Sequence, residues 1–134
     1  LITLNDSLTF NSGSDVLLPL AELVLNSVAN VIKAEQSLVE VQGHTDSVPI
    51  YSEKFNSNWH LGAARAVTVV QYLVNASDMP SEEFKASSYG ENKPVDTNIT
   101  AEGRLRNRRV EIYIRKEWNM VERYVIEEMF EAES

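Results

Sequence analysis

Asn58 and Arg65 lie seven residues apart in an Ala- and Val-rich stretch, Asn58 to Val74, whose composition predicts a helix. At about 100° per residue, seven steps return to within roughly 20° of the starting direction, so the amide and the guanidinium share one face. Gly62 between them has no side chain and is expected to leave room for something to approach that face. A helix start near Asn58 also offers free backbone donors and partial positive charge. Upstream, Asp46 closes the segment Gly43-His44-Thr45-Asp46. In a strand-loop-helix unit its carboxylate and the Arg65 guanidinium would face one shallow site from opposite sides. An Arg fork takes a carboxylate through two charge-assisted hydrogen bonds, while a neighbouring Asp accepts from an ammonium. That chemistry suits a zwitterion, a free amino-acid-like group. Two plainer readings stay open on spacing alone: Asp46 and Arg65 pair with each other, or Asp46 caps a turn beside a solvated Arg65.

The elements that must position these residues can be read from periodicity. Leu1 to Leu8 alternates weakly as a strand, and Asn11-Ser12-Gly13-Ser14-Asp15 is a cluster of turn formers. Pro19 can open a helix, and Leu20, Leu23, Val24, Val28, Val31 and Ile32 follow at helical spacing, predicting a helix over about 18–34. Leu38-Val39-Glu40-Val41-Gln42 alternates and runs into the Gly43–Asp46 segment, which places Asp46 at a strand's C-terminal end. Phe84 to Tyr89 and Arg109 to Arg115 read as further strands, and Thr100 to Arg108 as an exposed helix or loop. Strand-helix-strand-helix order followed by strands predicts an α+β domain over 1–116, a mixed sheet with helices packed on it. Trp118, Val121, Val125 and Met129 fall at helical spacing, so 117–134 is expected to form an acidic amphipathic helix. Its apolar stripe needs a surface, either this domain or a second copy in a homodimer.

A chain of 134 residues suits a single core. The formal charge of -8 is uneven: 117–134 holds six acids and one Arg, a net of -5, leaving -3 for the body. An acidic body repels the phosphate backbone, so nucleic acid is not an expected partner. The Arg104, Arg106, Arg108 and Arg109 cluster does not reverse this, because Glu102 and Glu111 flank it and no aromatic residues interleave for stacking. With no cysteine there are no disulfides or thiolate metal sites. His44 beside Asp46 invites a metal or acid–base proposal, but His60 is the only other histidine and no third ligand stands at zinc spacing. No Gly-x-Ser-x-Gly supports a serine hydrolase. The expectation is a non-enzymatic domain without cofactor or metal. The longest apolar stretch, Val16 to Leu25, carries Pro19 and Glu22 and cannot span a bilayer, so a membrane anchor is expected outside this sequence.

Gly43-His44-Thr45-Asp46, then Asn58-x-x-Leu61-x-x-x-Arg65-Ala66, then Tyr89-Gly90-x-x-x-Pro94 and Asn107-Arg108-Arg109-Val110-Glu111-Ile112 stand in an order that resembles OmpA-like domains. The match covers about residues 8 to 115. It implies a βαβαββ fold that binds peptidoglycan non-covalently through diaminopimelate, in the periplasm of a Gram-negative envelope. It also implies that Asp46 and Arg65 hold the ligand's ammonium and carboxylate, with Thr45 and Asn58 beside them. The family's Arg before the last strand maps onto Arg104 or Arg108, Arg108 ranking as the weaker candidate. Gly62 stands where relatives often carry Ser. The longer segment from Ser47 to Ser57, Ser57-Asn58-Trp59 and Phe10-x-Ser12-Gly13-Ser14 resemble MotB-like flagellar stator proteins; outer-membrane lipoprotein-type anchors share most of the same residues. Alanine at Asp46 or Arg65 is expected to remove binding and leave the fold intact.

Overall fold

The computed structural model describes residues 1–116, so the amphipathic helix expected over 117–134 lies outside the described residues. The chain runs β1 (Ile2–Asn5), α1 (Asp6–Thr9), α2 (Pro19–Glu35), β2 (Leu38–His44), α3 (Asn58–Ser77), β3 (Phe84–Gly90), α4 (Ala101–Asn107) and β4 (Arg109–Arg115). Pro19 opens α2, where its missing N–H costs nothing, and Gln36 closes it in the left-handed region at φ 49°. The Ser57 hydroxyl caps α3 by accepting from the His60 N–H, and Asp78 ends that helix at φ 56°. One boundary differs from the alternation reading: β1 stops at Asn5, and Asp6–Thr9 turns into a short helix. The Asp6 N–H still reaches the Arg108 carbonyl at 3.1 Å, but its own carbonyl accepts from the Phe10 N–H at 2.8 Å, and that bond closes the turn.

The strands order β1-β4-β2-β3, with β2 parallel to β3 and β4 antiparallel to both β1 and β2. Register sets Val39 opposite Ile114 and Val41 opposite Ile112, so one face of the sheet is apolar. Leu25, Val28, Ala29 and Ile32 of α2 and Ala66, Val69 and Leu73 of α3 recur every three or four residues and cover that face. Together these form one buried core with Phe10. Where α3 crosses β2, two glycines meet. A Cβ on Gly43 would lie 2.0 Å from the Gly62 carbonyl oxygen. The room at Gly62 is therefore taken by the sheet, not offered to a ligand, and the contact sets how closely α3 approaches the strand that ends near Asp46.

The opposite face is polar and hydrogen-bonded. His44 Nε2 meets Gln42 Oε1 at 3.2 Å, Gln42 donates to Glu40, and Glu40 also accepts from Ser87 and Arg115. Beside them Arg109 and Tyr113 donate to Glu111 at 2.6 Å each. Burial pushes Glu40 and Glu111 upward, but these donors outweigh it and hold both carboxyls below the usual range. Burial and the nearby Arg109 charge push His44 down to about 4, with Glu111 opposing and Lys93 adding. The imidazole is thus neutral at pH 7, stacked on Tyr89 at 5.4 Å between ring centres.

Candidate functional site

Asp46 sits just beyond β2 because the ladder ends one residue earlier: the Thr45 N–H still reaches the Gly90 carbonyl at 2.8 Å, and then the chain turns away. The turn is local. Asp46 Oδ1 accepts from the Val48 N–H at 3.1 Å, and the Thr45 hydroxyl donates to the Asp46 carbonyl. Asn58, first residue of α3, donates its side-chain amide to the Asp46 and Val48 carbonyls at 3.3 and 3.1 Å. It thereby ties the strand's end to the helix's start. Thr45, its neighbour in sequence, and Asn58, twelve positions on, act first as the mounting of the carboxylate.

Arg65 lies two turns further along α3, almost fully buried at 4% exposure. Its Nε donates to the Ser14 carbonyl at 2.8 Å, Nη2 to the Asn11 carbonyl at 3.2 Å, and Nη1 to Asp6. The guanidinium carbon stands 4.7 Å from the centre of the Phe10 ring. Burial, and then the positive charge of Arg108, lower the Arg65 pKa to about 10, so it stays charged at neutral pH. Three of its five N–H groups are committed. Of the two plain readings, Asp46 does cap a turn, but Arg65 is not solvated and its ion pair is with Asp6, not Asp46.

Asp46 is paired with Arg108, whose Nη1 lies 2.7 Å from Asp46 Oδ2. The Arg108 Nε stands 3.6 Å from the second oxygen of Asp6. The four charges therefore alternate, Arg65, Asp6, Arg108, Asp46, and sum to zero. All four line one open cavity of about 640 Å³ together with Thr45, Asn58 and Arg104. The six residues that the resemblance implies as ligand-binding, Thr45, Asp46, Asn58, Arg65, Arg104 and Arg108, all line this cavity, and of the two arginines Arg108 is the one that contacts Asp46. Arg104 spends its Nη1 on the Asn98 and Ile99 carbonyls at 3.0 Å each, holding the loop before α4. Arg108 is the arginine that touches the carboxylate, and its side chain is 35% exposed with most donors uncommitted.

The reason lies in three consecutive residues. Asn107 is fully buried; its side chain accepts from the Val95 and Asp96 N–H groups and donates to the Asp96 carbonyl and Asn98. Arg109 points to the polar sheet face and donates to Glu111, Asn107 and Lys93. Arg108, between them at the end of α4, is the one turned toward the cavity. Asp6 went unnoticed in the sequence because a residue in an alternating stretch gives no sign of a partner 59 positions away. His44 does not line this cavity. Among the described residues no group of three or more His, Cys, Asp or Glu is placed to hold a metal ion.

Residues 9–108 match the OmpA family. Motility protein B of Bacillus subtilis is 42% identical, covering 85% of this chain and 44% of its own. The peptidoglycan-binding protein ArfA of Mycobacterium bovis is 35% identical over 80% of this chain and 32% of its own. The solved periplasmic domain of Helicobacter pylori MotB superposes with a TM-score of 0.77 at 30% identity, covering 88% of this chain and 83% of that one. The chain thus spans less than half the length of these curated relatives. With four strands, packed helices and these relatives, the chain belongs to the OmpA family.

Proposed function

We propose that this domain binds peptidoglycan by taking the zwitterionic end of a diaminopimelate side chain into the cavity bounded by Asp46, Arg108, Asp6 and Arg65. The observation that carries this is the alternation of two carboxylates and two guanidiniums around one open cavity. A neutral quartet of this kind has no net attraction for a simple anion or cation. It does offer adjacent donors and acceptors to a ligand bearing both signs. The ligand's ammonium goes to Asp46, which accepts and cannot donate when ionised. Its carboxylate goes to the uncommitted donors of Arg108 and to the two remaining N–H groups of Arg65. Thr45 and Asn58 hold the Asp46 turn, and Arg104 holds the rim.

The biological role that follows is an anchor: the domain ties a membrane or motor protein to the cell wall through a tether outside these residues. Similarity to Motility protein B favours a flagellar stator, with a lipoprotein-type envelope anchor as the second reading. Relatives come from Bacillus, Helicobacter and Mycobacterium alike, so the proposal is for the wall-facing, extracytoplasmic side of the membrane, not for one envelope type. A hydrolase built on His44 and Asp46 is not favoured, since His44 is buried within the polar network on the sheet's other face and does not line the cavity. Co-sedimentation with purified peptidoglycan tests the anchor. Wild-type protein should pellet with the wall and Asp46→Asn should stay in solution; equal sedimentation of the two would sink the grip.

A further inference from the structure

Beside the four-charge cavity lies a second, smaller one that its chemistry does not use. It holds about 170 Å³ and is lined by Tyr51, Asn56, Trp59 and Glu91, sharing Pro49, Ile50 and Asn58 with the larger cavity. Two large aromatic rings stand open to solvent here, Tyr51 at 88% and Trp59 at 52% exposure. Neither is needed by the core. Trp59 is nevertheless held in place: it is the second residue of α3, and a Cβ on Gly90, which sits at φ 55°, would lie 3.5 Å from its Cδ2. The end of β3 thus packs flush against the indole. Tyr51 sits on a segment braced from below, where buried Phe55 donates its N–H to the Ser52 hydroxyl and Lys54 pairs with Asp15 at 2.5 Å.

We infer that Tyr51 and Trp59 form a sugar subsite that takes one N-acetylated hexosamine of the glycan strand. The inference rests on the reading of the larger cavity as the site for the stem peptide's zwitterion. A pyranose ring presents C–H groups on one face and hydroxyls at its edge. Aromatic faces offer large, rigid apolar area at little entropic cost, and a few polar groups fix orientation. Glu91 and Asn56 supply those polar groups, an acceptor for hydroxyls and an amide for the acetamido group. The volume takes a single ring. Continuity through Pro49, Ile50 and Asn58 lets one ligand carry a sugar in one cavity and its peptide in the other, so the second contact forms at high effective concentration.

The test uses the whole chain with Trp118→Phe, so that Trp59 is the only indole reporting. Three probes are titrated: N-acetylglucosamine tetramer, a diaminopimelate-containing stem tetrapeptide, and the disaccharide tetrapeptide that joins both chemistries. The tetramer should perturb Trp59 emission, and the disaccharide tetrapeptide should bind more tightly than the tetrapeptide. Measured by titration calorimetry, which needs no indole, Trp59→Ala and Tyr51→Ala should each weaken the disaccharide tetrapeptide by about three- to tenfold and leave the tetrapeptide unchanged. Tyr51, being almost wholly exposed, gives a variant that keeps the fold even if Trp59→Ala does not. Equal affinity of wild type for the two peptides, or equal loss of both in Tyr51→Ala, overturns the subsite while leaving the zwitterion grip standing. Tetramer binding without tetrapeptide binding overturns the grip and keeps the subsite.

Discussion

Arg108 and Asp46, 62 positions apart in sequence, meet at 2.7 Å at the cavity, and they do so while Arg65, the residue that a strand-loop-helix unit sets opposite Asp46, is engaged elsewhere. The carboxylate is therefore held ready but already partnered. On the proposed reading, a ligand ammonium shares Asp46 with Arg108, and a ligand carboxylate arriving with it restores what Arg108 gives up. Only a ligand carrying both groups makes that exchange even.

Arg108→Ala is accordingly expected to abolish wall binding while costing about 1–2 kcal/mol of stability, because the arginine is partly exposed but the Asp46 side chain it leaves is buried. Peptidoglycan co-sedimentation and urea unfolding measured on the same sample check both halves. A loss of several kcal/mol would recast Arg108 as a structural residue.

Arg65→Ala should behave differently. It strips Asp6 of its buried partner and frees the Ser14 and Asn11 carbonyls, so about 3–5 kcal/mol of stability should go with it. The expectation that alanine there would leave the fold intact does not survive its burial. A double variant, Arg65→Met with Asp6→Leu, removes both charges together and should recover much of the stability without recovering binding. Thermal unfolding of the single and double variants decides.

Gly43→Ala should destabilise more than Gly62→Ala. The first drives a Cβ into the Gly62 backbone, which cannot yield without moving α3; the second meets the Ser88 hydroxyl at 2.4 Å and the Gly43 carbonyl oxygen at 3.1 Å, and that hydroxyl can rotate away. Overpacking costs of roughly 1–3 kcal/mol are usual, and Gly43→Ala should reach or exceed the upper end. Denaturant midpoints in the reverse order would mean the strand gives way before the helix does.

His44 links stability to pH. Its pKa in the folded chain, about 4, is below the ordinary 6.5, so the unfolded chain binds the proton more readily. The stabilisation is fully present above pH 6.5 and is lost as pH falls toward 4. A ring-proton NMR titration should find the His44 midpoint near 4, and unfolding free energy should drop between pH 6.5 and 4 on the order of 1–3 kcal/mol more than in His44→Gln. A midpoint at 6 or above would mean that the imidazole is solvated after all.

Much of this was legible in the residues. Alternation through Leu38–Gln42 and Arg109–Arg115 marked β2 and β4, and three-four spacing marked α2 and α3, because each element has one apolar face and a single core to cover. That Asp46 and Arg65 would reach one cavity was legible through strand end and helix face. What escaped were relationships between distant segments. Asp6 sits in a helical turn that resembles a strand, and Gly62 resembles an opening until the sheet is set against it. Arg104 and Arg108, four residues apart, differ only in what the Asn107 staple and the loop before α4 leave for each to touch.

One consequence belongs to mechanics. Asp46 lies two residues past a strand hydrogen-bonded along both edges, to β3 on one side and β4 on the other. A tug on a ligand held at Asp46 is a tug on the end of β2, which can slide out only by shearing two ladders at once. Rupture under such loading is governed by the rate of unfolding and not by equilibrium stability. The carboxylate is thus bolted to a strand laddered on both edges, and under tension a ligand bound there should slip free before the fold that grips it tears.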